Sequence, residues 1–136
     1  MSRKIEDLDS RIGLTAVAFL DACKAQGLPV ILTHTRRTLE EQAQLYAQGR
    51  TVPGMVVTRA KPGQSPHNYG LAFDVVFLDL STPNPSDITW DVPGRDDEWE
   101  AIGKIGESLG LAWGGRFSRP DRPHFEHPDW KRLADV

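Results

Sequence analysis

Asp74 stands inside the apolar run L-A-F-D-V-V-F-L, residues 71–78. An ionised carboxylate in such a run is costly unless it is paired or bound to a metal. His67 lies seven residues earlier, in S-P-H-N-Y-G-L-A-F-D, residues 65–74. Gly70 permits a tight turn between the two, which would bring His67 back beside Asp74. His124, in D-R-P-H-F-E (residues 121–126), offers a second imidazole from the other end of the chain. Each residue alone has an ordinary alternative, a salt bridge or cap for Asp74 and a solvated loop side chain for the histidines. Together, one carboxylate and two imidazoles make a catalytic zinc set with one position left for water. Zinc lowers the pKa of such a water to about 7.

Hydrolysis also needs a carboxylate near that water to accept its proton. Asp121 and Glu126 compete for this role. Asp121 is three residues before His124, so it would face away from His124 in a regular strand. Pro120 and Pro123 make such a strand through Asp121 unfavourable and imply a turn. Glu126 would share a face with His124 in a strand, and it suits equally a partner that orients the imidazole. Arg36 and Arg37 follow an apolar segment; either would bind a carboxylate or an oxyanion if it reached the site, and otherwise they are a solvated pair.

These residues need elements to hold them. Ile5, Leu8, Ile12, Ala16, Phe19, Leu20 and Cys23 recur at helical spacing, which predicts one long amphipathic helix over about 5–26. Gly27 and Pro29 stop it. A strand is expected over 29–35. Thr38 and Glu41 have capping-box spacing, so a helix should run over 39–48 with Leu39, Ala43 and Tyr46 inward. Residues 50–66 form a long Pro- and Gly-punctuated loop, which a compact domain seldom carries without a use. Residues 71–80 predict a central strand buried on both faces, followed by a loop over 81–94. A helix over 97–109 carries Trp99, Ile102, Ile105 and Leu109 on one face, with Gly103 and Gly106 placed for close packing. Short strands are expected at 111–113 and 123–126, joined by a turn-rich loop. This alternation predicts an α+β fold, a small mixed, mainly antiparallel sheet with flanking helices.

At 136 residues the chain has the size of one domain, and no separate second domain is expected. The net charge of −3 argues against a general nucleic-acid binder. Cys23, the single cysteine, excludes an internal disulfide and reads as a buried, inert thiol. The N-terminus lacks the basic-then-apolar design of a signal peptide, and no run approaches a membrane span. Synthesis as a soluble cytosolic monomer is expected.

The run from Ser65 to Asp74 resembles the S-x-H-x-x-G-x-A-x-D motif of the zinc D-Ala-D-Ala carboxypeptidase and L-Ala-D-Glu endopeptidase family. D-R-P-H-F-E is similar to that family's second motif, and residues 35–50, T-R-R-T-L-E-E-Q-A-Q-L-Y-A-Q-G-R, resemble its Y-R-S-x-x-E-Q-x-x-L-Y segment. The resemblance implies the Hedgehog/DD-peptidase fold. It implies zinc held by His67, Asp74 and His124, with Asp121 as the catalytic acid and base. It further implies that Arg37 holds substrate or transition-state charge and that Ser65 contacts substrate. Arg36 departs from the aromatic residue usual in its place. The stretch V-V-T-R-A-K-P-G-Q ahead of the first motif looks most like the L-alanyl-D-glutamate peptidases of phage endolysins and bacterial wall hydrolases. The implied substrate is a peptidoglycan stem peptide, reached after release from the cell. The alternatives are a D-Ala-D-Ala carboxypeptidase or dipeptidase on the same scaffold, and a non-catalytic zinc-binding interaction domain.

Overall fold

The computed structural model describes residues 1–78, the backbone of 88–89, and residues 95–134. Helix α1 spans Ser10–Ala25, strand β1 Val30–His34 and helix α2 Leu39–Ala47. Strand β2 spans Ala72–Leu78, β3 Ile88–Thr89, helix α3 Asp96–Ser108, β4 Ala112–Trp113, β5 His124–Glu126 and the short helix α4 Trp130–Leu133. The sheet order is β1-β2-β5-β4, with β3 also on β2, and these strand pairs are all antiparallel. The expected α+β fold with a mainly antiparallel sheet holds, and the described strand pairs are antiparallel.

Strand alternation divides the work of β2. Phe73, Val75 and Phe77 belong to the core together with Phe19, Ile12, Trp99, Ile102 and Phe125. Phe19 stands 5.6 Å from Phe73 and 4.7 Å from Phe125, ring centre to ring centre. Truncating a fully buried aromatic such as Phe19 costs about 3–5 kcal/mol. The other face of β2 carries Asp74. Helix α3 approaches closely at its glycines: a Cβ on Gly103 would overlap the Trp113 ring, and one on Gly106 the Phe125 ring.

Three expectations need correction. The expected helix over 5–26 is broken. Ile5–Asp7 form a 3-10 turn, and Asp9 caps α1 by accepting a bond from the Arg11 amide. Asp9 competes with the helical backbone and wins at that point. Helix α2 has its capping box between Thr38 and Glu41, but Leu39 and Ala43 are exposed and Gln42 is the buried residue. Leu109 lies just past α3 and is 38% exposed, so the inward face ends at Ile105. The loop expected over 81–94 lies outside the described residues except at Ile88–Thr89, which form β3. Cys23 is fully buried, and burial pushes its thiol up to about 12. Among the described residues, no helix is long and apolar enough to cross a membrane.

Candidate metal centre

Asp74 is paired with His124 across the β2–β5 ladder, so their side chains share a face. His67 arrives from a 3-10 turn over Pro66–Tyr69 that closes the long loop. Ser65 caps this turn by accepting from the His67 amide at 3.3 Å, and Asn68 completes a capping box. Gly70 ends it in the left-handed region, at φ 68°, as only a residue without Cβ does cheaply. Its carbonyl accepts from the Asp9 amide at 2.9 Å, tying the site to the start of α1.

Three donor atoms converge. His67 Nε2 lies 3.3 Å from Asp74 Oδ1, and His124 Nδ1 lies 3.1 Å from the same oxygen. His67, Asp74 and His124 offer ligand atoms all within 4.8 Å of one another. The remaining ring nitrogens are already committed. His67 Nδ1 is 2.8 Å from the Thr35 carbonyl, and His124 Nε2 is 2.7 Å from Glu126 Oε1. Such outer contacts fix ring orientation and tautomer in metal sites. The donor set is therefore turned inward and fits a divalent cation; His67, Asp74 and His124 form a metal-binding triad.

The electrostatics agree. Burial opposes a charged Asp74, but His67, His124 and His34 outweigh it and hold its carboxyl well below the usual range. Burial also opposes a charged His124, yet Asp74 and Glu126 hold that imidazolium up at about 10. Ligating imidazoles are neutral, so metal uptake must release this proton.

The triad opens into a cleft of about 310 Å³ that is also lined by His34, Arg37, Ser65 and Asp121. A larger groove of about 590 Å³ lies between α1 and β1, but no histidine lines it. Asp121 sits on a turn, as its flanking prolines require. Its amide donates to the Gly114 carbonyl at 2.8 Å, and its carbonyl accepts from the His124 amide at 3.1 Å. Partial burial, joined by the nearby Asp74 charge, raises its carboxyl, more than His124, His67 and Arg37 lower it. Arg37 is held by Gln42, whose Oε1 accepts from Nη1 at 2.8 Å, while the Gln42 amide nitrogen donates to the Ala60 carbonyl at 2.7 Å. Arg36 points elsewhere, donating to the Asp7 carbonyl at 3.1 Å.

His34, which lines the cleft, and Gln42, which holds Arg37, are not among the residues that the motifs pick out. His34 Nδ1 is 3.4 Å from Asp74 Oδ2. Gln42 carried no signal beyond its place in the helix. His127 is outside the cleft, its Nδ1 accepting from the Asp129 amide at 3.0 Å. Trp99, Trp113 and Trp130 are core residues.

A histidine–aspartate–histidine triad at the mouth of a cleft in an antiparallel α+β sheet is the arrangement of a metallopeptidase. The sequence model of a family described as D-alanyl-D-alanine carboxypeptidase, peptidase M15, matches residues 58–127. The chain is 37% identical over 127 residues to the peptidoglycan L-alanyl-D-glutamate endopeptidase CwlK of Bacillus subtilis (strain 168), covering 88% of this chain and 73% of that one. The fold is similar to that of the Serratia marcescens L-Ala D-Glu endopeptidase ChiX, with a TM-score of 0.57 at 16% identity over 94% of this chain and 86% of that one. It is also similar to a VanY D,D-pentapeptidase variant in complex with Zn(II), with a TM-score of 0.63 at 16% identity over 95% and 79% of the two chains. The chain belongs to the peptidase M15 family.

Proposed function

We propose that the protein is a zinc-dependent endopeptidase that cuts peptidoglycan stem peptides between L-Ala and D-Glu. The convergence of one ligand atom each from His67, Asp74 and His124, all within 4.8 Å of one another, carries this proposal. The likeness to CwlK at 37% identity supports the choice of bond. Zinc held by the triad would supply Lewis acidity toward the scissile carbonyl and make water a better nucleophile.

The chain's own groups do the rest. The Asp121 carboxylate takes a proton from the attacking water and returns it to the departing amine nitrogen. The Arg37 guanidinium, anchored by Gln42, faces the charge that develops on the carbonyl oxygen. Ser65 lines the cleft beside His67 and contacts the bound peptide, while its hydroxyl keeps the turn under His67 in place. The protein works as a monomer on the cell wall, as an endolysin or wall hydrolase that reaches its substrate after release.

The family description favours one second reading, removal of a terminal D-Ala. Mass spectrometry of muropeptides digested by the zinc-loaded protein separates them. The endopeptidase leaves L-Ala on the glycan side and a new D-Glu amino terminus. Loss of a single D-Ala with the L-Ala–D-Glu bond intact assigns the carboxypeptidase activity instead.

A further inference from the structure

Asp74 is the middle member of a row that crosses three strands. His124 is its partner on β5, and His34 is its partner on β1. The β1 pairing depends on a bulge. Leu32 stands opposite Val75, and the next paired residue, His34, stands opposite Asp74, so Thr33 is the extra residue. Partners across a ladder share a face, and neighbours along a strand alternate. An unbroken ladder would set Thr33 opposite Asp74 and turn His34 to the face of Phe73. The bulge re-aims His34 into the cleft, a use to which bulges are put beside functional sites.

The two oxygens of Asp74 consequently have different neighbours. Oδ1 faces His67 Nε2 at 3.3 Å and His124 Nδ1 at 3.1 Å. Oδ2 faces His34 Nδ1 at 3.4 Å. The Thr33 hydroxyl also approaches His34 Nδ1, at 3.3 Å, and a hydroxyl either donates or accepts. A carboxylate only accepts, so the tautomer that satisfies Asp74 carries its proton on Nδ1.

We propose that His34 is a positioning residue that donates from Nδ1 to Asp74 Oδ2 and thereby presents Oδ1 alone to the metal. This rests on the triad holding zinc as set out above. His34 acts on the ligand and not on the ion: the convergent set is His67, Asp74 and His124. Contacts of this kind are worth about 10–100-fold in metal affinity.

The test is zinc affinity, read by competition with a chromophoric chelator, for the wild type, His34→Ala and His34→Asn. X-ray absorption of the zinc-loaded proteins counts the bound imidazoles. The wild type should show two. His34→Ala should bind zinc about 10–100-fold more weakly and still show two. His34→Asn can donate from near the place of Nδ1 and should restore most of the affinity. Wild-type affinity in His34→Ala, an Asn variant as weak as the Ala variant, or a third imidazole in the wild type would each overturn the role. A wild type that takes up no zinc removes the metal site itself, and this role with it.

Discussion

Glu126 Oε1 lies 2.7 Å from His124 Nε2, while the other nitrogen of that ring faces Asp74 at 3.1 Å. The imidazole is thus clamped between a ligand carboxylate and an outer carboxylate. The two acids of D-R-P-H-F-E should separate by experiment. Glu126→Ala should weaken zinc binding about 10–100-fold. Asp121→Asn should keep zinc and lower kcat by about 10²–10⁴-fold. Zinc titration beside turnover of each variant reads both effects. Full turnover by Asp121→Asn would move the proton-transfer role to another group.

Arg37 and Gln42 form the second coupled pair. Arg37→Ala should lower kcat/KM by about 10²–10³-fold, the usual loss when one donor to a developing oxyanion is removed. Gln42→Ala should act on two quantities at once. It leaves the Ala60 carbonyl without its 2.7 Å partner, which costs about 1–3 kcal/mol of stability. It also loosens Arg37, so kcat/KM should fall by less than in Arg37→Ala. Urea unfolding and steady-state kinetics on the two variants measure this ordering.

At the start of α1, Asp9 accepts from the Arg11 amide at 2.9 Å and from its guanidinium at 2.8 Å, and Arg11 holds its carboxyl down at about 2. A carboxyl lowered on folding stabilises the native state above its unfolded pKa of about 3.9 and loses that contribution as pH falls toward the folded value. Asp9→Ala should therefore cost about 1 kcal/mol at pH 7. The difference from wild type should shrink between about pH 4 and pH 2. Unfolding curves at both ends of that window check the sign.

Gly103 and Gly106 oppose helix propensity to packing. An alanine at either site gains about 1 kcal/mol of propensity. Its methyl would overlap the Trp113 or Phe125 ring, and overpacking costs about 1–3 kcal/mol. Packing should prevail, so both variants should unfold at lower urea than wild type.

The triad was legible because its residue types and spacings carry the chemistry, and the strand through Asp74 announced itself by apolar character. The packing of α2 was not legible. Periodicity put Leu39 and Ala43 inward, but the helix faces Arg37 and the long loop there, and a polar Gln42 satisfies both. The break near Asp9 was hidden because Ile5 and Leu8 keep the apolar rhythm while the Asp9 side chain ends the helix. His34 was hidden by the bulge at Thr33, since strict alternation places it on the opposite face from Asp74.

Elemental analysis of the purified protein after zinc loading and desalting, beside His67→Ala, Asp74→Ala and His124→Ala, measures whether three distant residues hold one ion. The wild type should retain one zinc per chain and each variant markedly less, with far-UV circular dichroism unchanged. A wild type that retains none, or folded variants that each keep a full equivalent, would contradict the site on which the proposed chemistry stands.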